Sequence, residues 1–314
     1  MPFVSKPRKF NASINETVLG VGDKAVTLGG LNTLPLHFFD APAKNPPAVG
    51  IEITDVDADL SAFPELAAFY EGAKTPAERA KKAAAAEGAQ FVCLRFEGAD
   101  PGGLNRSAAE CAAIAKEVAE AIDLPLVISG CKNVEKDAEI FAACAEATSG
   151  KNVLFLSARE ENYKTVGAST ALAYGQKVGA ESAVDINLAK QLNVVMTQLG
   201  IAPGSIVMNV GSAAAGYGFE YVASTLDRVK AAALEQNDNM LQMPIMTPVS
   251  AETWGVKESI MPEQDMPEWG SQEERAVAME TVTASACLAS GSDAVILRHP
   301  KSVKTIAAMI AALL

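Results

Sequence analysis

Val49-Gly-Ile-Glu-Ile-Thr-Asp-Val56 opens the rhythm that decides the fold. It is a short β-branched run, preceded by Pro46-Pro47 and followed by a helical stretch. Seven runs of the same kind follow: Phe91-Val-Cys-Leu-Arg-Phe96, Pro125-Leu-Val-Ile-Ser-Gly-Cys131, Val153-Leu-Phe-Leu-Ser157, Ala183-Val-Asp-Ile-Asn187, Ile206-Val-Met-Asn-Val-Gly-Ser212, Pro244-Ile-Met-Thr-Pro-Val249 and Asp293-Ala-Val-Ile-Leu-Arg298. Such runs suit strands buried on both faces. Eight β-then-α units in about 265 residues match the period and length of an α/β fold, the (β/α)8 TIM barrel. The barrel is expected over residues 48–314, with residues 1–47 as an N-terminal extension. Chemistry in such a barrel sits at the C-terminal ends of the strands.

The bulk properties narrow the classes. The 314 residues are 49% hydrophobic but only 6% aromatic, so the core is aliphatic and alanine-rich. A formal net charge of −12 with no block of Lys or Arg argues against nucleic acid as a partner. No apolar run reaches the eighteen residues of a membrane span, and Met1-Pro-Phe-Val-Ser-Lys6 lacks the apolar core of a leader, so a cytoplasmic protein is expected. The five cysteines, Cys93, Cys111, Cys131, Cys144 and Cys287, form no C-x-x-C pair and read as buried small residues. No metal site or Fe–S cluster is expected in this chain alone.

Within the extension, Glu16 to Gly30 reads as two short strands around a Gly-Asp turn, a β-hairpin that would plug the N-terminal mouth of the barrel or lie on its surface. Thr75-Pro-Ala-Glu78, Ser107-Ala-Ala-Glu110 and Ser271-Gln-Glu-Glu274 are capping-box signals for helix starts. After Ser107, Cys111, Ile114, Ala115, Val118 and Ile122 fall on one helical stripe. The connection after strand seven, Ser250 to about Gly270, reads as a long irregular loop holding both tryptophans, Trp254 and Trp269. A loop of that length and content suggests a lid or partner surface, the alternative being that it folds down on its own barrel.

The strand ends offer many neutral hydrogen-bonding groups and few catalytic ones. Asp55 and Asp185 are not paired as a glycosidase needs. Lys132, the nearest candidate for a Schiff base, lies just past its strand. Two histidines in all, one of them His37 in the extension, cannot make a strand-end metal centre. The loops after strands seven and eight lack the glycines of a phosphate site. No catalytic residue is assigned. Neutral amides and hydroxyls around a wide mouth suit a large ligand decorated with amides, such as a corrinoid.

Three segments extend that suggestion. Gly22-Asp-Lys-Ala-Val-Thr-Leu-Gly-Gly30, then Leu34-Pro-Leu-His-Phe38 with Asn45-Pro-Pro47, and Trp254-Gly-Val-Lys-Glu258 resemble the small subunit of the corrinoid iron-sulfur protein, the delta-subunit family of the acetyl-CoA synthase/CO dehydrogenase complex. The resemblance covers essentially the whole chain. It implies a non-catalytic subunit in a heterodimer with a large corrinoid iron-sulfur subunit. Cobalamin would lie at the interface, and the [4Fe-4S] cluster in the partner. The complex would carry a methyl group on cobalt from methyltetrahydrofolate methyltransferase to acetyl-CoA synthase in the reductive acetyl-CoA pathway of carbon fixation. The corrinoid would then face Ser157, Asn187, Asn209, Ser212 and Thr247, with Trp254 and His299 also against it. His299 is not read as a cobalt ligand, since the chain has no Asp-x-His-x-x-Gly motif.

Two other readings stand beside this one. A pterin (methyltetrahydrofolate)-dependent methyltransferase is also a barrel, and would grip the pterin with Asp185, Asn187 and Asn209. Ser129 and Gly130 stand where such an enzyme would be expected to carry an Asp. A purely structural subunit would touch no cofactor at all.

Overall fold

The computed structural model describes residue 4 and residues 6–314; residues 1–3 and 5, which hold much of the segment read as lacking a leader, lie outside the described residues. The chain starts with an antiparallel pair, β1 (Thr17–Leu19) and β2 (Val26–Leu28), joined through a 3-10 turn at Gly22–Lys24. Eight parallel strands follow. β3 (Ala48–Thr54) leads to α1 (Pro64–Tyr70) and α2 (Pro76–Ala84), and β4 (Phe91–Arg95) to α3 (Ala108–Ala121). β5 (Leu126–Ser129) leads to α4 (Val134–Ala147), and β6 (Leu154–Ala158) to α5 (Tyr163–Gly167). β7 (Lys177–Glu181) is followed by α6 (Ile186–Gln198), and β8 (Ile206–Asn209) by α7 (Phe219–Glu235). β9 (Met246–Thr247) leads through α8 (Ser250–Thr253) and α9 (Lys257–Ile260) to α10 (Gln272–Ser290), and β10 (Ala294–Leu297) to α11 (Pro300–Leu313).

The sheet order β8-β7-β6-β5-β4-β3-β10-β9 is that of a (β/α)8 barrel. Its seam, between β8 and β9, is a single bridge from Met208 to Ile245 beside the Met208 N–H bond to the Pro244 carbonyl at 2.8 Å. Asp293 holds the strands next to that seam. Its Oδ2 accepts from the Ile245 amide at 2.7 Å and from Lys230 Nζ of α7 at 2.6 Å, both within the buried interior. Its own amide donates to the Ile245 carbonyl, and its carbonyl accepts from Ala48 of β3.

Alternation along the strands separates two cores. Outward residues such as Ile51, Leu94, Ile128 and Val295 pack under the helices. Inward residues such as Phe91, Cys93, Val127, Leu154 and Ile296 fill the barrel together with Leu19 and Leu28 of the hairpin. The hairpin therefore seals the N-terminal end with two buried leucines. Gly50 lacks a side chain because the ring of Phe91 occupies that space.

Two of the three expected capping boxes are complete, at Thr75 and Ser107. At Ser271 only the half in which its hydroxyl accepts from the Glu274 amide forms. The stripe of α3 is buried at Cys111, Ala115 and Val118 as its spacing predicts.

Two expectations need correction. The run Ala183–Asn187 is not the fifth strand. Ala183 and Val184 have φ of 47° and 65°, and Asp185 caps α6, so the run is a turn and a helix start. The true strand, β7, reads Lys-Val-Gly-Ala-Glu, and its apolar signal is broken at Gly179, where a Cβ would stand 2.7 Å from Leu156 Cδ1. The segment after strand seven is not irregular either. It forms α8, α9 and a 3-10 turn at Pro267–Trp269, tied by Ser259 Oγ donating to the Thr253 carbonyl and Gln272 Nε2 to that of Ser259.

Asp293→Asn should leave Lys230 buried without its counter-charge and cost about 3–5 kcal/mol in urea unfolding. Adding Lys230→Met to it should recover part of that loss.

Candidate functional site

In six of the eight strands an inward position near the C-terminal end is polar, where the positions below are apolar. Glu52, Arg95, Ser129, Glu181, Asn209 and Arg298 follow the inward Ala48, Cys93, Val127, Gly179, Val207 and Ile296 at even spacing. These groups line the C-terminal mouth, and their charges are paired within it. Arg298 Nη2 contacts Glu52 Oε1 at 2.8 Å and Glu97 at 3.7 Å, and Arg95 lies 3.4 Å from Glu97. Arg159 pairs with Glu181 at 2.9 Å, and Lys132 with Glu252 at 2.9 Å. Ser250 Oγ donates to the second oxygen of Glu52.

At the centre is a cavity of about 120 Å³ lined by Ser129, Ser157, Glu181, Asn209 and Ser212 among others. Asn209 Nδ2 donates to Ser157 Oγ at 3.0 Å, and Asn209 Oδ1 accepts from the Gly211 amide. Ser157 sits where the β6–β7 register shifts between Phe155 and Ala158. Such a bulge re-aims a side chain. The Ser212 hydroxyl is buried and has no partner among the described residues.

The structure thus gathers three of the seven residues read from the sequence, Ser157, Asn209 and Ser212. The other four lie elsewhere. Asn187 is exposed in the first turn of α6. Thr247 is fully buried, with its hydroxyl 2.7 Å from Ser292 Oγ, below the mouth. Trp254 packs on its own barrel: Nε1 donates to Glu280 at 2.9 Å, the ring meets Phe63 edge-on at 5.1 Å, and the Arg298 guanidinium lies 5.3 Å from its centre. His299 is buried, with Nδ1 accepting from the Lys301 amide and Nε2 3.1 Å from Glu273 Oε1. Both of its nitrogens are engaged inside the chain.

Two buried carboxylates on α10 escaped the sequence reading. Glu280 accepts from Trp254 Nε1, from the Arg298 amide at 2.6 Å and from the His299 amide at 3.2 Å. Burial pushes its carboxyl above the usual range against the pull of those donors. Glu273 accepts from the amides of Glu65 and Leu66, at the start of α1, and from His299. Burial raises its pKa, but the two amides and the His299 ring outweigh that, and it ends below the ordinary 4.5. A signal existed: Glu273, Ala276, Glu280, Thr283 and Cys287 recur at the helical spacing of one buried stripe.

Beside the mouth, between α1, the β3–α1 connection and Trp254, lies a larger chamber of about 560 Å³. Arg298, Glu52 and Glu97 form its wall toward the mouth. Among the described residues no group of three or more His, Cys, Asp or Glu is arranged to hold a metal, and no helix is long and apolar enough to cross a membrane. The buried thiols are pushed up, Cys111 and Cys287 both to about 12.

Trp254→Ala should lower stability by about 2 kcal/mol or more, because it removes packing and leaves Glu280 short of a donor. Chemical denaturation measures it. Glu273 has a depressed pKa, so its contribution is complete above pH 4.5 and is lost as the pH falls below that value. The stability gap between wild type and Glu273→Gln should therefore shrink on acidification below pH 4.5.

The family model for the CO dehydrogenase/acetyl-CoA synthase delta subunit matches residues 16–309. The acetyl-CoA decarbonylase/synthase complex subunit delta of Methanocaldococcus jannaschii is 32% identical over 284 residues, covering 90% of this chain and 68% of that protein. The subunit delta of Methanothermobacter thermautotrophicus is 33% identical over 299 residues, covering 95% of this chain and 75% of that protein. Against subunit delta 2 of Methanosarcina acetivorans the chain spans 65% of the relative's length. In fold the chain is similar to dihydropteroate synthases. That of Xanthomonas albilineans with 4-aminobenzoic acid has a TM-score of 0.55 at 15% identity, over 95% of this chain and 98% of the other. That of Coxiella burnetii in complex with pteroic acid has 0.54 at 12%, over the same shares. These barrels share the architecture alone. The relatives are those toward which Gly22–Gly30 and Trp254–Glu258 point, and the chain belongs to the CO dehydrogenase/acetyl-CoA synthase delta subunit family.

Proposed function

We propose that this chain is the non-catalytic barrel subunit of a heterodimeric corrinoid iron-sulfur methyl carrier, and that its mouth covers one face of the corrinoid. The observation that carries the reading is the neutral cluster of Ser157, Asn209 and Ser212 in a mouth whose charges are already paired. A bound corrinoid supplies a cobalt centre for methyl transfer. The residues present fit such a group in one way. A cavity of about 120 Å³ is far too small for the macrocycle, so the ring would lie across the mouth and not within it. The Asn209–Ser157 pair, which lines that cavity, would then stand nearest its amide arms. The hairpin that seals the opposite end leaves the mouth as the route of approach.

The relatives are subunits of a complex, which supports a partner-bound role. The partners we propose are the large corrinoid iron-sulfur subunit, methyltetrahydrofolate methyltransferase and acetyl-CoA synthase, with the [4Fe-4S] cluster in the large subunit. The scattered and mostly buried cysteines are in keeping with a cluster held elsewhere. The pterin-dependent methyltransferase reading draws on barrel neighbours such as the synthase bound to pteroic acid. Its support is thinner: Asp185 caps α6 through the Asn187 and Leu188 amides, and Asn187 is exposed.

The test is corrinoid retention in the heterodimer, read from visible absorbance after co-purification with the large subunit. One neutral hydrogen bond is worth about 0.5–1.5 kcal/mol, so Asn209→Ala should weaken retention by roughly two- to tenfold. Asn187→Ala should leave it unchanged. Equal retention in both variants and the wild type would place the ring elsewhere.

A further inference from the structure

The chamber beside the mouth shares no lining residue with the mouth cavity. Its volume, about 560 Å³, lies in the range of small-molecule sites. Phe63 and Trp254 meet edge to face at 5.1 Å along one wall, and Leu66 and Ala67 of α1 extend the apolar lining. Ile260 also lines it and leaves 55% of its surface exposed. An apolar group seated in the chamber would take that surface out of water, which favours binding.

The charges of the lining do not balance. Glu52, Asp57, Asp59 and Glu97 face two cations, Arg79 and Arg298. Both cations are engaged: Arg79 Nη1 donates to Asp57 at 2.7 Å, and Arg298 Nη2 to Glu52 at 2.8 Å. Arg95 reaches Glu97 from the mouth side, and even with it the carboxylates outnumber the cations.

Glu97 is the carboxylate with room for a partner. Its nearest donors are Arg95 Nη1 at 3.4 Å and Arg298 Nη2 at 3.7 Å, both too long for a strong hydrogen bond. Both meet the same oxygen, Oε1, so Oε2 is left without a partner among the described residues. The side chain is 34% exposed, so a molecule in the chamber can reach it. An open carboxylate oxygen calls for a donor, and a charged donor binds it more strongly than a neutral one. The excess of carboxylates repels an anion.

We infer that this chamber binds a small organic cation, a primary ammonium on an apolar ring-bearing body, with the ammonium on Glu97 and the body against Phe63, Ala67 and Ile260. The inference does not depend on the corrinoid reading, because the two cavities have separate linings.

Titration of the full chain with phenethylammonium tests it. Binding is read by tryptophan fluorescence and by saturation-transfer NMR. 2-Phenylethanol serves as the neutral isostere and phenylacetate as the anion. Nα-acetyl-lysinamide stands for a lysine side chain presented by another protein. Phenethylammonium should bind saturably. The three comparators lack either the positive charge or the ring, and should bind about tenfold or more weakly. Glu97→Gln should weaken phenethylammonium by about tenfold or more. The same change should leave the melting temperature nearly level, because a partly exposed carboxylate with only long ion contacts adds little to folding. Ala67→Met, which fills the chamber, should abolish binding. No binding of phenethylammonium, equal or tighter binding of the alcohol or the carboxylate, or binding indifferent to both variants would overturn the inference. So would tighter binding of the lysinamide, since the chamber would then receive a protein side chain and not a small molecule.

Discussion

A parallel barrel has to close, and here closure rests on Asp293. β9 has only two residues in the ladder, and one bridge links Ile245, the residue before it, to Met208 of β8. Main-chain pairing that short holds little by itself. Asp293 adds a carboxylate that binds both the Ile245 amide and Lys230, and a backbone that pairs with Ile245 and Ala48. It therefore ties β9, β10, β3 and α7 at one point. The two buried charges carry a desolvation penalty, offset by short contacts and by hydrogen bonds to the same carboxylate. What such a pair gives is geometry. With the seam fixed, all eight strands end around a common mouth.

Closure also decides where polarity can lie. The lower interior is filled: Phe91 covers Gly50, Leu156 covers Gly179, and Leu19 and Leu28 close the end. Within the barrel itself the opening is at the upper end. There the strands carry charged residues, but each is answered by a neighbour, as with Arg298 and Glu52 or Arg159 and Glu181. Such a mouth exerts little net pull on an ion. It suits a neutral ligand held by amides and hydroxyls, which is why Ser157, Asn209 and Ser212 weigh more in the proposed role than the charges around them.

The helix α10 supports the rim of the mouth and the wall of the chamber from behind. Glu280 gathers the indole of Trp254 and the amides of Arg298 and His299, and Glu273 caps α1 while facing His299. A carboxylate inside a helix-packed core is costly unless its lone pairs are filled. Here they are filled from the rim of the mouth and from the wall of the chamber. The position of Arg298, which stands between the two, is thus set from behind by α10.

Much of this was legible in the sequence. The short β-branched runs alternating with capped helical stretches determined the barrel, because burial on both faces demands such runs and helix starts demand their caps. Thr75 and Ser107 form the boxes their spacing predicts. Strand five was hidden because a neighbour's side chain takes the space at Gly179, which removes the apolar signal from the strand that carries it. The strand-end reading found Ser157, Asn209 and Ser212, whose place depends on local spacing. It could not separate them from Asn187, Thr247, Trp254 and His299. Whether a polar group at a strand end faces the mouth or a neighbour depends on contacts between residues distant in the chain, such as Trp254 with Glu280 or His299 with Glu273. Sequence alone determined the fold and the end of the barrel that matters; the tertiary structure decided which side chains are free there, because only packing settles which hydrogen bonds are already made.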